Sequence, residues 1–367
     1  MEMVLAELQR IRTSGARAVE TCAVGGHELL AVPQLALDVP GEQPAMNGGD
    51  SDTELLLLRR VDERFVPFAT LPAPGGEDAE FFTIGDDSFL AVASIRSGSG
   101  PYRYATESTI FVWRDEGFVP FQRIETFAAK QFKHWSIGDR HFLGLAQGVR
   151  LPGLEADNRP SVVFEWDGTR FAELQRVESE WAYNWHAFRV EEDWFVAHAE
   201  HLGPSVLYRW DGGRLQPHQE LVERAGRAFA TFRRGDAHHL VVAGLLDPPR
   251  VMEWRDGRFE TIQELAGLGA RELAVVEHDA RLLLIRVNFI LGTPAAPQPS
   301  LRSQVYEWHV GGFRLVADFP TTGGTDVTVV DHAGDGLQFV VSNSLSEQLR
   351  FASETVLYSL STANGHA

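Results

Sequence analysis

The chain has 367 residues, with 33 Lys or Arg against 51 Asp or Glu, for a formal net charge of −18. At 44% hydrophobic and 23% charged it is neither disordered nor collagen-like, and it is long enough to bury a sizeable core. The acidic excess offers no basic face to a phosphate backbone, so no nucleic-acid role is expected, and no apolar run approaches the roughly 18 residues of a membrane span.

Residues 1–20 carry acids and arginines where a secretory signal would need an apolar core, so a cytoplasmic location is expected. A lone cysteine, Cys22, excludes an internal disulfide framework and a thiolate zinc site. Only two lysines, Lys130 and Lys133, stand against 31 arginines. The arginine bias suggests a high-GC bacterial source. It does not explain why both lysines fall in one short segment.

In chain order, the first patterned segment is Val4–Ile11, containing Leu5-Ala-Glu-Leu-Gln9, followed by Phe65-Val-Pro-Phe-Ala69. Next comes a full unit. Glu80–Ile84 turns through Gly85-Asp86-Asp87 into the nearly continuous apolar run Phe89–Ala93, then a variable loop, the alternating strand Ser108–Trp113 and a last strand Phe118–Ile124. From here an aromatic, an apolar residue five on and a Gln four further recur: Trp113, Phe118 and Gln122; Trp166, Phe171 and Gln175; Trp210, Leu215 and Gln219; Trp254, Phe259 and Gln263. A further copy, Trp308 to Phe313 to Ala317, keeps the spacing and loses the Gln. Asp-Gly turns at Asp167-Gly168, Asp211-Gly212 and Asp256-Gly257 mark antiparallel hairpins.

The third strands number seven: 53–58, 108–113, 161–166, 205–210, 250–254, 303–308 and 354–360. The last lacks a fourth strand after it, and Val4–Ile11 resembles the missing piece. The fold class expected is therefore all-β: a single seven-bladed β-propeller domain over 1–367, with four antiparallel strands per blade. Its last blade combines about 325–361 with 3–11, a closure that removes exposed sheet edges.

The segment Phe81–Ala93, with Ser108–Trp113 and Phe118–Ile124, resembles the EAR repeat, also called EPTP, of the leucine-rich glioma-inactivated protein family. The resemblance implies a propeller acting as a protein-interaction module, with no enzymatic activity attached to the repeat. Some members of that family hold calcium in the central channel through an Asp-x-Glu. Asp78-Ala-Glu80 matches it, but the next blade offers Gln131 and Lys133 where a further acid is needed. Two carboxylates beside an ammonium are a poor start for calcium, so no cofactor is expected.

Long loops at 33–52, 94–107, 147–160, 288–302 and 342–353 should share one rim, and that rim is the expected binding face. Aligning the first strands on their last apolar residue places Glu20, Glu80, Lys133, His186, Ala228, Glu272 and Asp326 at one ring position in the channel mouth. Gln34, Ser94, Gln147, Glu200, Gly244, Asn288 and Asn343 follow the second strands. The ring residues are either acid–base groups or solvated charges with Glu80–Lys133 as an inter-blade ion pair. Trp181, Tyr183 and Trp185, with His186, His198 and His201, are either a ligand wall or packing. The pair His238-His239 reads as surface, and the repeated Gln as a support for the fold.

Two functions follow. The first is a soluble module binding a protein partner or small ligand through the long-loop rim and channel mouth. The second is a small-molecule enzyme of isomerase, cyclase or hydrolase type using Glu80, Lys133, His186, Glu272 or Asp326, with Glu20, Trp181, Tyr183, Trp185 and His198 shaping the pocket.

Overall fold

The computed structural model describes residues 3–293, 295–330 and 336–362. Among these, seven four-stranded antiparallel sheets form the blades of a propeller, and Leu291–Thr293 with Ala296–Gln298 add a two-stranded hairpin in a rim loop. Blade 2 is representative: Gly76–Ile84, Asp87–Ser94, Ala105–Arg114 and Gly117–Phe127 pair in order. The innermost strands of blades 1 to 7 are Glu20–Val24, Gly76–Ile84, Gln131–Ile137, Ala182–Val190, Gly226–Arg234, Ala270–His278 and Gly324–Val330. Second strands are buried on both faces, as Phe89 to Ala93 illustrate, because each blade is sandwiched between two others.

Closure is as the terminal segments predict. Met3–Ser14 is the outer strand of blade 7, with Val4 opposite Ser361, Leu5 opposite Leu360 and Ile11 opposite Thr355. One hydrogen-bonded ladder thus joins the two terminal segments. No helix among the described residues is long and apolar enough to cross a membrane.

The repeat signature explains how blades hold together. Each motif Trp lies against the preceding blade: Trp166 on Phe89 at 5.7 Å, Trp210 on Phe142 at 5.0 Å, Trp254 on Phe195 at 5.1 Å and Trp308 on Phe232 at 5.0 Å. Trp113 packs so closely on blade 1 that a Cβ at Gly25, in a turn at φ +58°, would meet its ring at 2.7 Å. The motif Gln reaches the other way. Gln122 donates to Phe171 O and accepts from Phe171 N, both at 2.9 Å, and Gln175 does the same to Leu215. Gln219 clasps Phe259, Gln263 clasps Phe313, and Gln9 of blade 7 clasps Phe65 of blade 1. A primary amide mimics a peptide group, so each clasp extends a strand ladder across a blade boundary.

The second-to-third and fourth-to-first connections meet on one rim, where Leu35 N donates to Gly15 O, Ile95 N to Gly75 O and Phe289 N to Gly269 O. An apolar layer including Leu35, Ile95, Phe127, Val149 and Phe351 lies beneath these loops and fixes them on the ring.

Candidate functional site

The inner strands descend the channel from the long-loop rim and line a cavity of ≈ 270 Å³. Pairing with the second strands fixes which inward positions are equivalent. Glu20, Glu80, Lys133 and His186 face Ala31, Ala91, Gly144 and Ala197 and form one layer. Glu272 and Asp326 face Val287 and Ser342, which places them level with Asp78 opposite Ala93, one layer nearer the rim. The expected single ring is therefore two rings. In blades 5 and 6 the inner strand runs two polar residues past its last apolar residue, through Arg233-Arg234 and Glu277-His278, so Ala230 and Ala274 take the position assigned to Ala228 and Glu272.

Each innermost strand is a sheet edge, and its free amides need acceptors. The channel acids supply them across blade boundaries. Asp78 Oδ2 accepts from Phe132 N at 3.1 Å, Asp326 Oδ2 from Val19 N at 2.8 Å, Glu80 Oε1 from His134 N at 2.9 Å and Glu20 Oε1 from Phe81 N at 3.3 Å. Gln131 serves Trp185 N likewise at 2.6 Å. Glu272 accepts from Asn184 Nδ2 at 2.8 Å. Lys133 Nζ lies 2.9 Å from Glu80 Oε2, the inter-blade ion pair foreseen.

Crowding of acids away from bulk water shifts their titration. Burial, then Glu80, raises Glu20 to about 8; burial, then Asp326, raises Glu272 to about 8. Burial, then Glu80 and Asp326, pushes Asp78 well above the ordinary aspartate range. Burial also dominates at Asp326, where the amides of Val19 and Val327 limit the rise to about 6. For Lys133 burial works toward neutrality, but Glu80 and Glu20 outweigh it and the ammonium stays charged. His186 is driven down to about 3 by burial, then by Lys133, so it is a neutral imidazole with Nε2 3.0 Å from Thr231 Oγ1.

Nearest the rim is a further layer, in which Tyr183 and Lys130 are joined by Arg17, Glu77, Arg227 and Arg271, four residues not among the sequence candidates. Glu77 accepts from Arg17 at 2.9 and 3.1 Å and from Lys130 at 3.2 Å. Burial would raise Glu77, but Arg17 and Lys130 outweigh it and hold the carboxylate down at about 2. Tyr183 stands among cations, with Arg227 3.8 Å, Arg271 4.9 Å and Lys130 5.5 Å from its ring. A signal for this layer existed: the position equivalent to Glu77 is charged in five of the seven blades, at Arg17, Glu77, Lys130, Arg227 and Arg271, where a buried ring should be apolar.

The remaining candidates divide. Trp181 stays at the rim, edge-on to His201 at 5.2 Å. Tyr183 is no open cage for a ligand cation, since the chain's own cations cover its ring. Trp185 is 2% exposed, packed into the blade interior on His198 at 4.0 Å. His198, 2% exposed with Nε2 3.1 Å from Ser161 Oγ, is a core residue and not a pocket residue. His239, read as surface, is buried at 3% and stacks on Phe232 at 4.5 Å. Gln34, Gln147 and Asn343 are spent on backbone at Ser14, Phe127 and Thr322.

The donor set does not fit calcium. Glu80 is occupied by Lys133 and His134 N, Asp78 by Phe132 N, and among the described residues no group of three His, Cys, Asp or Glu side chains is placed to hold a metal ion.

Comparison with known proteins agrees with the repeat. The human thrombospondin-type laminin G domain and EAR repeat-containing protein is 28% identical over 171 residues, 45% of this chain and 23% of that protein. The mouse protein of the same name is 31% identical over 125 residues, 33% of this chain and 17% of that protein. The match thus spans about a quarter of these relatives or less, and both are mammalian, which runs against the bacterial source inferred from the arginine bias. The solved structure of BBS1N in complex with ARL6DN superposes with a TM-score of 0.58 over 99% of both chains at 12% identity, a likeness of fold alone. The EPTP domain matches at residues 64–114, 117–167, 170–211 and 214–255, more than half of the chain in total. The chain belongs to the EPTP (EAR-repeat) family.

Proposed function

We propose that this chain acts as one propeller unit that binds a protein partner through its long-loop rim and channel mouth. The observation that carries this reading is an apolar arc on the rim. Leu202, Leu246 and Leu268 are 44%, 53% and 42% exposed on connections of blades 4 to 6. Those connections are tied in sequence: Ala225 N donates to His201 O, Leu245 N to Ala225 O and Gly269 N to Leu245 O. Exposed leucines on a rigid, hydrogen-bonded arc are a surface that association would cover. Membership in the EPTP family supports the same reading. The catalytic alternative is less favoured, since Glu80, Asp326 and Glu272 are engaged within the fold and His186, driven down to about 3, is a weak base.

Crosslinking capture from an extract of the source, comparing wild type with the triple variant L202S/L246S/L268S, tests this. Loss of the captured protein with an unchanged melting curve is the expected result. Equal capture by both chains would refute the rim assignment.

A further inference from the structure

The rim layer of the channel is short of negative charge. Among the described residues, Glu77 is the one carboxylate in ion-pair contact with its four cations, and it serves Arg17 and Lys130. Arg227 is 3% exposed and Arg271 5% exposed, and neither makes an ion pair. Arg227 Nη1 bonds Gly226 O and His201 Nδ1. The Arg271 side chain makes no hydrogen bond to any described residue, and its Nη1 is fully buried without a partner.

Two other buried guanidinium groups are satisfied by the fold, whereas Arg59 Nε, on a half-buried residue, also lacks a partner. Arg96 has Ser51 Oγ, Asn47 O and Gly48 O; Arg286 has Asn288 Oδ1, Ala266 O and Leu268 O. A buried cation with neither an ion pair nor a hydrogen bond is costly, so the arrangement at Arg271, 5% exposed, needs a reason. Arg271, Arg17 and Lys130 all line the channel cavity.

We propose that the rim end of the channel is an oxyanion site, in which a carboxylate or phosphate-type group sits between Arg271, Arg17 and Lys130 beside Tyr183. The guanidinium groups supply paired N–H donors and Lys130 a point charge, the usual recognition of such groups. Arg227, stacked at 3.8 Å, holds the Tyr183 ring in place. The cavity, ≈ 270 Å³, falls below the roughly 300–1,000 Å³ of drug-sized pockets and suits a small charged group. The acids one layer deeper do not oppose it fully, because burial keeps Glu272 protonated up to about 8. With a free ion as occupant this site is independent of the partner reading; with an acidic side chain presented by another protein it rests on that reading.

Titration calorimetry at pH 7 and fixed ionic strength separates the sources, with inorganic phosphate as one probe and N-acetylglutamate α-amide as the other. Saturable binding of phosphate identifies a free ion, and preference for the amide identifies a presented side chain. Arg271→Gln should weaken the bound probe roughly tenfold or more, and Arg271→Lys should weaken it less. Failure of both probes to saturate, or equal affinity in wild type and Arg271→Gln, would each overturn the proposal.

Discussion

Glu77→Gln is the sharpest test of the channel electrostatics. The Glu77 side chain is 1% exposed, and its partners Arg17 and Lys130 are 12% and 5% exposed. Its folded carboxyl lies at about 2 against an ordinary 4.5, because Arg17 and Lys130 outweigh the burial that opposes them. A separation of that size corresponds to about 3 kcal/mol of stability at neutral pH. Removing one partner of a buried pair leaves the others uncompensated, which costs about 3–5 kcal/mol, a loss of the same size. The sign follows from the depressed folded value: the contribution is present above 4.5 and is lost as pH falls through about 2. Urea denaturation at pH 7 should show the loss in Glu77→Gln, and the gap from wild type should narrow when both are measured near pH 2. A change below about 1 kcal/mol at pH 7 would refute the claim that this carboxylate neutralises the rim layer.

The deeper acids have the opposite sign. Glu20 and Glu272 rise from 4.5 to about 8 on folding, so the folded chain holds more protons between those values and stability falls as pH rises through that window. The urea midpoint should be higher at pH 5 than at pH 8.5, and Glu272→Gln should flatten the difference. Gln219→Ala removes both bonds to Phe259 and should cost about 1–3 kcal/mol in chemical denaturation while leaving anion affinity unchanged. Gly75→Ala places a Cβ 2.3 Å from Arg96 O at φ +55°, and a thermal melt should show a loss of about 1–3 kcal/mol or more.

Much of the architecture was determined by local rules that one sequence displays. The Trp-to-Gln spacing repeats because every blade boundary poses the same packing and hydrogen-bonding problem, and the pairing of Val4–Ile11 with 354–360 follows from complementary end segments. The pairing of Glu80 with Lys133 was legible for the same reason, as both sit at one position of adjacent repeats. What tertiary structure alone decided is where side chains from different blades meet. Glu272 left the Glu80 layer because its inner strand runs on through Glu277-His278 past its last apolar residue, and Asp326 pairs at the same level as Glu272. Trp185 and His198 lie in the core because the facing blade covers them, which no neighbour in sequence reveals. Arg17, Glu77, Lys130 and Arg271 come from four blades, and only closure of the ring brings their charges together.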